Sequence, residues 1–431
     1  MLKTITTLGL CSALFIANAS YADKTAIYAG TLLSIPGKTP LTEQTVIIED
    51  GKISAIESGY IKGDDFDHII DLTDSFVMPG LMDMHVHLQG ELGPENDSEA
   101  LKMSDELMAM RSTHFAFKTL LAGFTTVRDV GSNPQYMYAL RDAINKGWVD
   151  GPRIIAAGGV GITGGHTDVS GMKHELLDFY TTKQICDGPY DCRRAARSAI
   201  KFGGDLIKVA STGGVLTDRA TGTGQQMHND ELKEVVEAAK SMGKKVAAHA
   251  HQEDGIIAAL EAGVASIEHG SYTGPKAIKL FKQTGAYLVP TLLAGDTVKH
   301  LAENSEFMSP AIKEKAIRVG GDMQSNFAKA HKAGVKVAFG TDSGVSRHGI
   351  NAQEAVLMHQ AGMSPMDILV SATVNAADLI DMSNSIGTLE VGKAADIIAT
   401  QGSPLENIEE LLDVDFVMKS GKVFKSVAQE I

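Results

Sequence analysis

Cysteine and proline are scarce in this chain, and positive charge is outnumbered. Of 431 residues only 3 are cysteine and 12 proline, while 39 Lys and Arg stand against 53 Asp and Glu, a formal charge of −14. No Lys/Arg run is long enough to follow a phosphate backbone, so nucleic acid is a poor partner. Beyond the N-terminal segment no apolar stretch resembles a membrane span. Low-complexity tracts are missing, and 44% hydrophobic with 21% charged residues is the make-up of an ordinary globular chain. Against so few prolines, 44 glycines point to many tight turns, which suits an alternating α/β architecture.

The N-terminus reads as a targeting segment. Lys3 precedes an apolar stretch from Leu8 to Ala17, and Ser20-Tyr21-Ala22 has the small-x-Ala form of a cleavage site. Cys11 would suit a lipoprotein signal, but Leu10 stands where such a signal needs a small residue. The expectation is a signal peptide over residues 1–22 and an exported protein, periplasmic or secreted, with no membrane attachment after cleavage. A retained anchor is the alternative. Export leaves Cys186 and Cys192, separated by an Asp187-Gly188-Pro189 turn signal. An oxidising compartment would let them bond as a loop staple; two free thiols are the alternative.

Both ends of the remaining chain alternate as strands do. Ala26–Ala29, Thr45–Glu49 and Ile53–Ile56 are short β runs, with Asp50-Gly51 as a hairpin turn between the last two. Ala395–Ala399, Asp415–Met418 and Lys422–Phe424 repeat the pattern, with Ser420-Gly421 as the second turn. Neither piece can bury a core alone, so the two are expected to form one small β domain.

Between them, apolar β runs alternate with amphipathic helical patterns. The β runs are Phe76–His87, Phe124–Val130, Arg153–Gly158, Leu206–Ser211, Lys245–His251, Ser266–His269, Ala286–Pro290 and Val335–Asp342. The helices carry local signals: a cap at Asn229 or Asp230 before an apolar stripe, Gly263 closing another, and Ser364-Pro365 opening a third. This count predicts an α/β fold, a (β/α)8 TIM barrel with its site at the C-terminal strand ends. A doubly wound open sheet lacks its usual G-x-G-x-x-G signal here.

Residues of metal-ligand type stand at those strand ends. His85-x-His87 would point both imidazoles to one side of a strand, since the pleat puts i and i+2 together. Lys208 lies in an apolar run, His249 and His251 follow, then His269, and Asp342 ends the last run. Each alone has a plain structural explanation, as a hydrogen-bonded histidine, a turn aspartate or a snorkelling lysine. Their placement at one end of one barrel does not.

With these residues the sequence resembles the amidohydrolase superfamily over essentially its whole mature length. More narrowly it resembles the imidazolonepropionase-related branch of prolidase-like dipeptidases and carboxypeptidases. The resemblance is carried by Met78–His87, Gly123–Gly131, Thr163-Gly-Gly-His166, Ile207-Lys-Val209 and Ile267-Glu-His-Gly270. It implies two divalent metal ions, commonly zinc, with His85, His87 and Asp342 on one, His249 and His269 on the other, and Lys208 as N6-carboxylysine bridging both. Asp342 would also be the catalytic proton acceptor. The implied layout is a β-sandwich from residues 23–77 and 387–431 around a barrel over 78–386.

Substrate contacts are less defined. His166 could reach the scissile carbonyl or stabilise its loop, and His251 could bind substrate or support a ligand. Arg219 could clamp a carboxylate or be a solvated loop residue; Arg347 and His348 follow the eighth run. Enzymes of the resembling branch release a C-terminal amino acid from a dipeptide or N-acyl amino acid. A hydrophobic residue or proline ranks above a basic one, and ochratoxin A-type N-aroyl-phenylalanine amides fall in that class. The alternatives are hydrolysis of a cyclic amide or lactone by the same centre, and a metal-free binding barrel. Lys208 argues against deamination. The partner expected is a small molecule or short peptide, and a homo-oligomer is compatible with the sequence.

Overall fold

A computed structural model describes residues 24–426 except 64, 170–171 and 218–221. The proposed signal segment lies outside the described residues. Strands β1 (Lys24–Leu32), β2 (Leu41–Glu49), β3 (Lys52–Ser58) and β4 (His68–Pro79) open the chain. The barrel strands follow: β5 (Leu81–Val86), β6 (Phe124–Asp129), β7 (Arg153–Ile162), the two-residue β8 (Ile185–Cys186), β9 (Leu206–Ala210), β10 (Val246–Ala250), β11 (Ser266–His269) and β12 (Tyr287–Val289). The chain then returns as β13 (Ile397–Thr400), β14 (Phe416–Lys419) and β15 (Lys422–Ser426).

The two ends of the chain build one seven-stranded sheet, ordered β15-β14-β13-β4-β1-β2-β3. β4 makes this possible. Its first part pairs parallel with β1, and Phe76 to Pro79 pair antiparallel with β13. Residues from both ends, including Ile27, Val46, Ile70, Ile397 and Phe416, then share a single apolar cluster. Both hairpins form where the sequence placed them. Asp50 and Gly51 have φ of 52° and 73°, Ser420 and Gly421 49° and 79°, the left-handed pair that a two-residue turn between twisted strands requires.

β5, β6, β7, β9, β10, β11 and β12 form the parallel barrel wall, with β8 paired to the end of β7. Helices surround it, and Ala376, Ala377 and Leu379 pack against Met82, Met84 and Val289. Among the described residues no helix is long and apolar enough to cross a membrane.

The structure corrects three sequence expectations. The run Phe76–His87 is two strands, one in each sheet. Gly80 divides them: its N–H donates to the Asp396 carbonyl (2.9 Å), and the Thr125 side chain leaves no room for a Cβ. The run Val335–Asp342 closes the barrel without forming a regular strand. It bonds to β12 through Ala338 N to Leu288 O (3.0 Å), and to β5 through Met84 N to Phe339 O (2.8 Å) and Asp342 N to His85 O (2.7 Å). The ladder is interrupted because Asp83 takes the Thr341 N–H and hydroxyl instead. Finally, the helix Asn229–Ser241 is capped one residue earlier than expected, at His228, whose N–H donates to Glu231 (2.8 Å).

The two sheets are tied by a partly buried ion pair. Arg153 of β7 lies 2.7 Å from Asp396, whose other oxygen accepts the Ser420 N–H (2.8 Å). Asp396→Ala should cost about 3 kcal/mol, because it strands the guanidinium away from water. Denaturant unfolding of the purified variant, with activity of the folded fraction unchanged, is the check.

Candidate metal centre

The seven barrel strands deliver their C-terminal residues into one cavity of about 360 Å³. His85, His87, His166, Lys208, His249, His251, His269 and Asp342 all line it. Every ligand position inferred from the sequence is therefore brought together. His85, His269 and Asp342 each offer a ligand atom within 4.8 Å of the others. His249 sits between His166 and His269, with ring centroids 4.3 and 4.6 Å away.

Four of the imidazoles are held from behind. His85 Nδ1 lies 2.9 Å from Glu268 Oε2, His269 Nδ1 2.8 Å from Thr291 Oγ1, and His251 Nδ1 2.7 Å from Ser271 Oγ. His166 Nδ1 lies 2.6 Å from Thr217 Oγ1. Occupying one ring nitrogen in this way leaves the other to serve as ligand or substrate contact. His249 is turned the opposite way: its Nε2 lies 3.3 Å from the Gly213 carbonyl, leaving Nδ1.

Glu268 is itself anchored. Its Oε1 lies 2.8 Å from Arg128 Nη2, both side chains are buried, and Arg128 Nε donates to the Met84 carbonyl (2.6 Å). Burial works against the ionised carboxylate, but Arg128 and His85 outweigh it and hold the Glu268 pKa down at about 2. On β5, Asp83 accepts from the His85 N–H, Thr341 and Asn351. Asp129 receives the N–H groups of Leu88 and Ser132 and so fixes the turns after β5 and β6.

The electrostatics favour neutral imidazoles. Burial lowers His85 and His166 to about 4 and His251 to about 3, and pushes His249 and His269 well below the ordinary range. His87 is the exception: burial opposes its charge, but the Asp342 carboxylate prevails and raises it. Burial likewise depresses Lys208, toward the neutral amine. Among the described residues no hydrogen bond or ion pair reaches the Lys208 amine.

These donors fit a cation. Asp342 Oδ1 is buried without a hydrogen-bond partner, 2.8 Å from His87 Nε2 and 3.5 Å from His85 Nε2. A buried carboxylate oxygen facing two imidazole nitrogens is an arrangement that a divalent ion completes, taking the place of the proton that Asp342 favours on His87.

The remaining expected residues are dispersed. Arg219 lies outside the described residues. Arg347 is exposed and does not line the cavity. His348 is buried against Phe115, with Nε2 3.0 Å from the Gly90 carbonyl. Cys186 and Cys192 form a disulfide across the turn, with Cα atoms 5.0 Å apart. Beside it, Thr163 at the start of the His166 loop donates to Asp187 (2.6 Å).

Sequence reasoning assigned no role to Arg128, Glu268, Thr291, Lys315 or Glu354. For the first two a signal existed, since each is a charge inside an apolar β run. Lys315 is buried in the helix Pro310–Lys332 and donates to the carbonyls of Gly214 (3.1 Å) and Thr217 (2.6 Å), steadying the residue that holds His166. Glu354 is buried in the helix Gln353–Gln360, and burial pushes its pKa up to about 8.

Comparison with known proteins agrees with this geometry. Residues 76–424 match the sequence model of the Amidohydrolase family. The chain is 31% identical to ochratoxinase of Aspergillus niger over 96% of its own length and 89% of that protein's. The crystal structure of A. niger ochratoxinase superposes with a TM-score of 0.81 at 30% identity, covering 94% of this chain and 96% of that one. A Xaa-Pro dipeptidase with methionine bound in its active site gives 0.90 at 41% identity, covering 94% and 100%. A prolidase in complex with N-methylphosphonate-L-proline gives 0.85 at 28% identity, covering 94% and 100%. The chain belongs to the amidohydrolase family, as a prolidase-like hydrolase of C–N amide bonds.

Proposed function

We propose that this enzyme uses two divalent metal ions to cleave the amide bond to a C-terminal amino acid in dipeptides or N-acyl amino acids. Xaa-Pro or hydrophobic C-terminal residues are favoured, and ochratoxin A-type N-aroyl-phenylalanine amides belong to the same class. The observation that carries this reading is the buried Asp342 Oδ1, facing the ring nitrogens of His85 and His87, beside a lysine amine that no described residue bonds.

His85, His87 and Asp342 would hold one ion, His249 and His269 the other, and Lys208, as N6-carboxylysine, both. The depressed lysine pKa supports this modification, because only the neutral amine adds CO2. Bound there, zinc or a similar ion supplies Lewis acidity toward an amide carbonyl and a water. Asp342, kept ionised by the neighbouring His85 and His87, would take the water's proton on a carboxylate oxygen and pass it to the departing nitrogen. The Thr217 hydroxyl at His166 Nδ1 leaves Nε2 facing the cavity, and in the tautomer in which Nδ1 accepts from Thr217 the Nε2–H would donate to a substrate oxygen. His251 stacks against His269, ring centroids 5.0 Å apart, and lines the substrate side.

The substrate class follows from the rest of the lining. Val215 and Leu216, Val298 of the helix Leu292–Asn304, Val319 and Met323 of Pro310–Lys332, and Val345 form an apolar wall. Among the described residues, Asp342 is the only acid that lines the cavity. Relatives that act on an ochratoxin or Xaa-Pro substrate, or hold methionine, support an uncharged residue here. Export to an oxidising compartment is proposed as well, supported by the Cys186–Cys192 bond and the N-terminal pattern.

Three outcomes test this reading. Lys208→Ala and Asp342→Asn should each lower amino-acid release from Xaa-Pro and N-acyl-phenylalanine libraries by on the order of 10³-fold, with circular dichroism unchanged. Wild-type turnover in either variant would end the assignment. Glu268→Gln should weaken metal retention roughly 10–100-fold in chelator competition, since it loosens His85 from behind. Val298→Asp should reduce kcat/KM for hydrophobic C-terminal residues about 10-fold or more while metal content stays at the wild-type level.

A further inference from the structure

Thr291 occupies the corner between β12 and the helix Leu292–Asn304, and its backbone is unusual. With φ 50° and ψ 44° it is left-handed, a conformation that a β-branched residue adopts only under constraint. It is fully buried, and its N–H donates to the Gly340 carbonyl (3.1 Å).

A threonine at this position normally caps its helix, its hydroxyl accepting one of the first unpaired N–H groups. Thr291 makes no such bond. Its hydroxyl lies instead 2.8 Å from His269 Nδ1. The N–H groups left over go to Glu354, which arrives from a different helix: Leu292 N to Oε1 at 2.9 Å and Leu293 N to Oε2 at 2.7 Å. Glu354 is fully buried and does not line the cavity. A carboxyl group buried at a helix start, where both oxygens accept backbone N–H groups, is costly to keep there, so its location calls for a reason.

We propose that Glu354 is a positioning residue of the metal centre: by capping the Leu292–Asn304 helix in place of Thr291, it frees the Thr291 hydroxyl and holds it against His269 Nδ1. This rests on the reading that His269 is a metal ligand. Fixing Nδ1 selects the tautomer and ring orientation that present Nε2 to the ion.

The test uses the full mature chain loaded with zinc and measures both metal affinity, by chelator competition, and thermal unfolding of the metal-free form. Thr291→Val, which keeps the shape and loses the hydroxyl, and Glu354→Gln are each expected to weaken zinc retention about 10-fold, while Thr291→Ser retains wild-type affinity. In the Thr291→Val background, Glu354→Gln should weaken zinc no further, although the metal-free melting temperature falls again. Overturning results are a Glu354→Gln protein with lowered melting temperature and unchanged zinc affinity, or fully additive losses in the double variant. Wild-type protein that retains no zinc would overturn the metal-centre reading itself and this inference with it; retained zinc with unaffected variants would overturn only the latter.

Discussion

The buried pair of Arg128 and Glu268 is the constraint on which the rest of the site depends. It joins strands that are distant in sequence: Arg128 leaves β6, donates to the Met84 carbonyl of β5, and meets Glu268 on β11. Two charges this deep gain little net stability, since desolvation consumes most of the attraction. What they provide is direction. Glu268 stays ionised through the working range because Arg128 and His85 outweigh the penalty of burial. An ionised carboxylate 2.9 Å from His85 Nδ1 requires a proton on that nitrogen, so Nε2 must face the cavity as a lone pair. The ligand geometry is thus set from inside the barrel before any ion arrives.

The irregular closure of the barrel serves the same end. A regular eighth strand would alternate its side chains, and the last acid would emerge wherever the pleat sent it. Here Asp83 captures Thr341 from β5, the ladder breaks, and Asp342 adopts a positive φ of 59°. That local strain turns its carboxylate over His87 at 2.8 Å. Regular hydrogen bonding is given up where the chemistry sits, while β9, β10 and β11 keep theirs intact.

What the sequence made legible follows from the range of the interactions. The His85-x-His87 pair, the hairpins at Asp50-Gly51 and Ser420-Gly421, and the order of ligands along the barrel depend on neighbours or on a strand repeat. Those features were visible without coordinates. The division at Gly80 was not, because it is imposed by Thr125 and Asp396, far away in the chain. Thr291 carried no local signal of its contact with His269, because what frees its hydroxyl is the distant Glu354. Lys315 and Glu354 sit in amphipathic helices where a charge normally faces water, so their burial had no periodic signature. Arg347 fails for a related reason: following a strand end does not determine which way a loop side chain turns, and this one turns outward.

Chemistry and selectivity come from separate parts of this fold. The ligand atoms belong to strand ends and are fixed by the barrel's interior. Half of the apolar wall belongs to two helices, Leu292–Asn304 and Pro310–Lys332, which pack closely because Gly295 and Gly320 leave no side chain between them. A residue on that wall can change size or polarity without moving a strand. The coupling runs through the start of the first helix, where Thr291 touches His269 and Glu354 fixes the backbone. Substitutions at Val298, one helical turn and more beyond that anchor, should therefore tune which side chain is accepted, whereas those at Thr291 should disturb the proposed metal centre. The separation explains how one barrel can keep a constant centre beside a variable pocket.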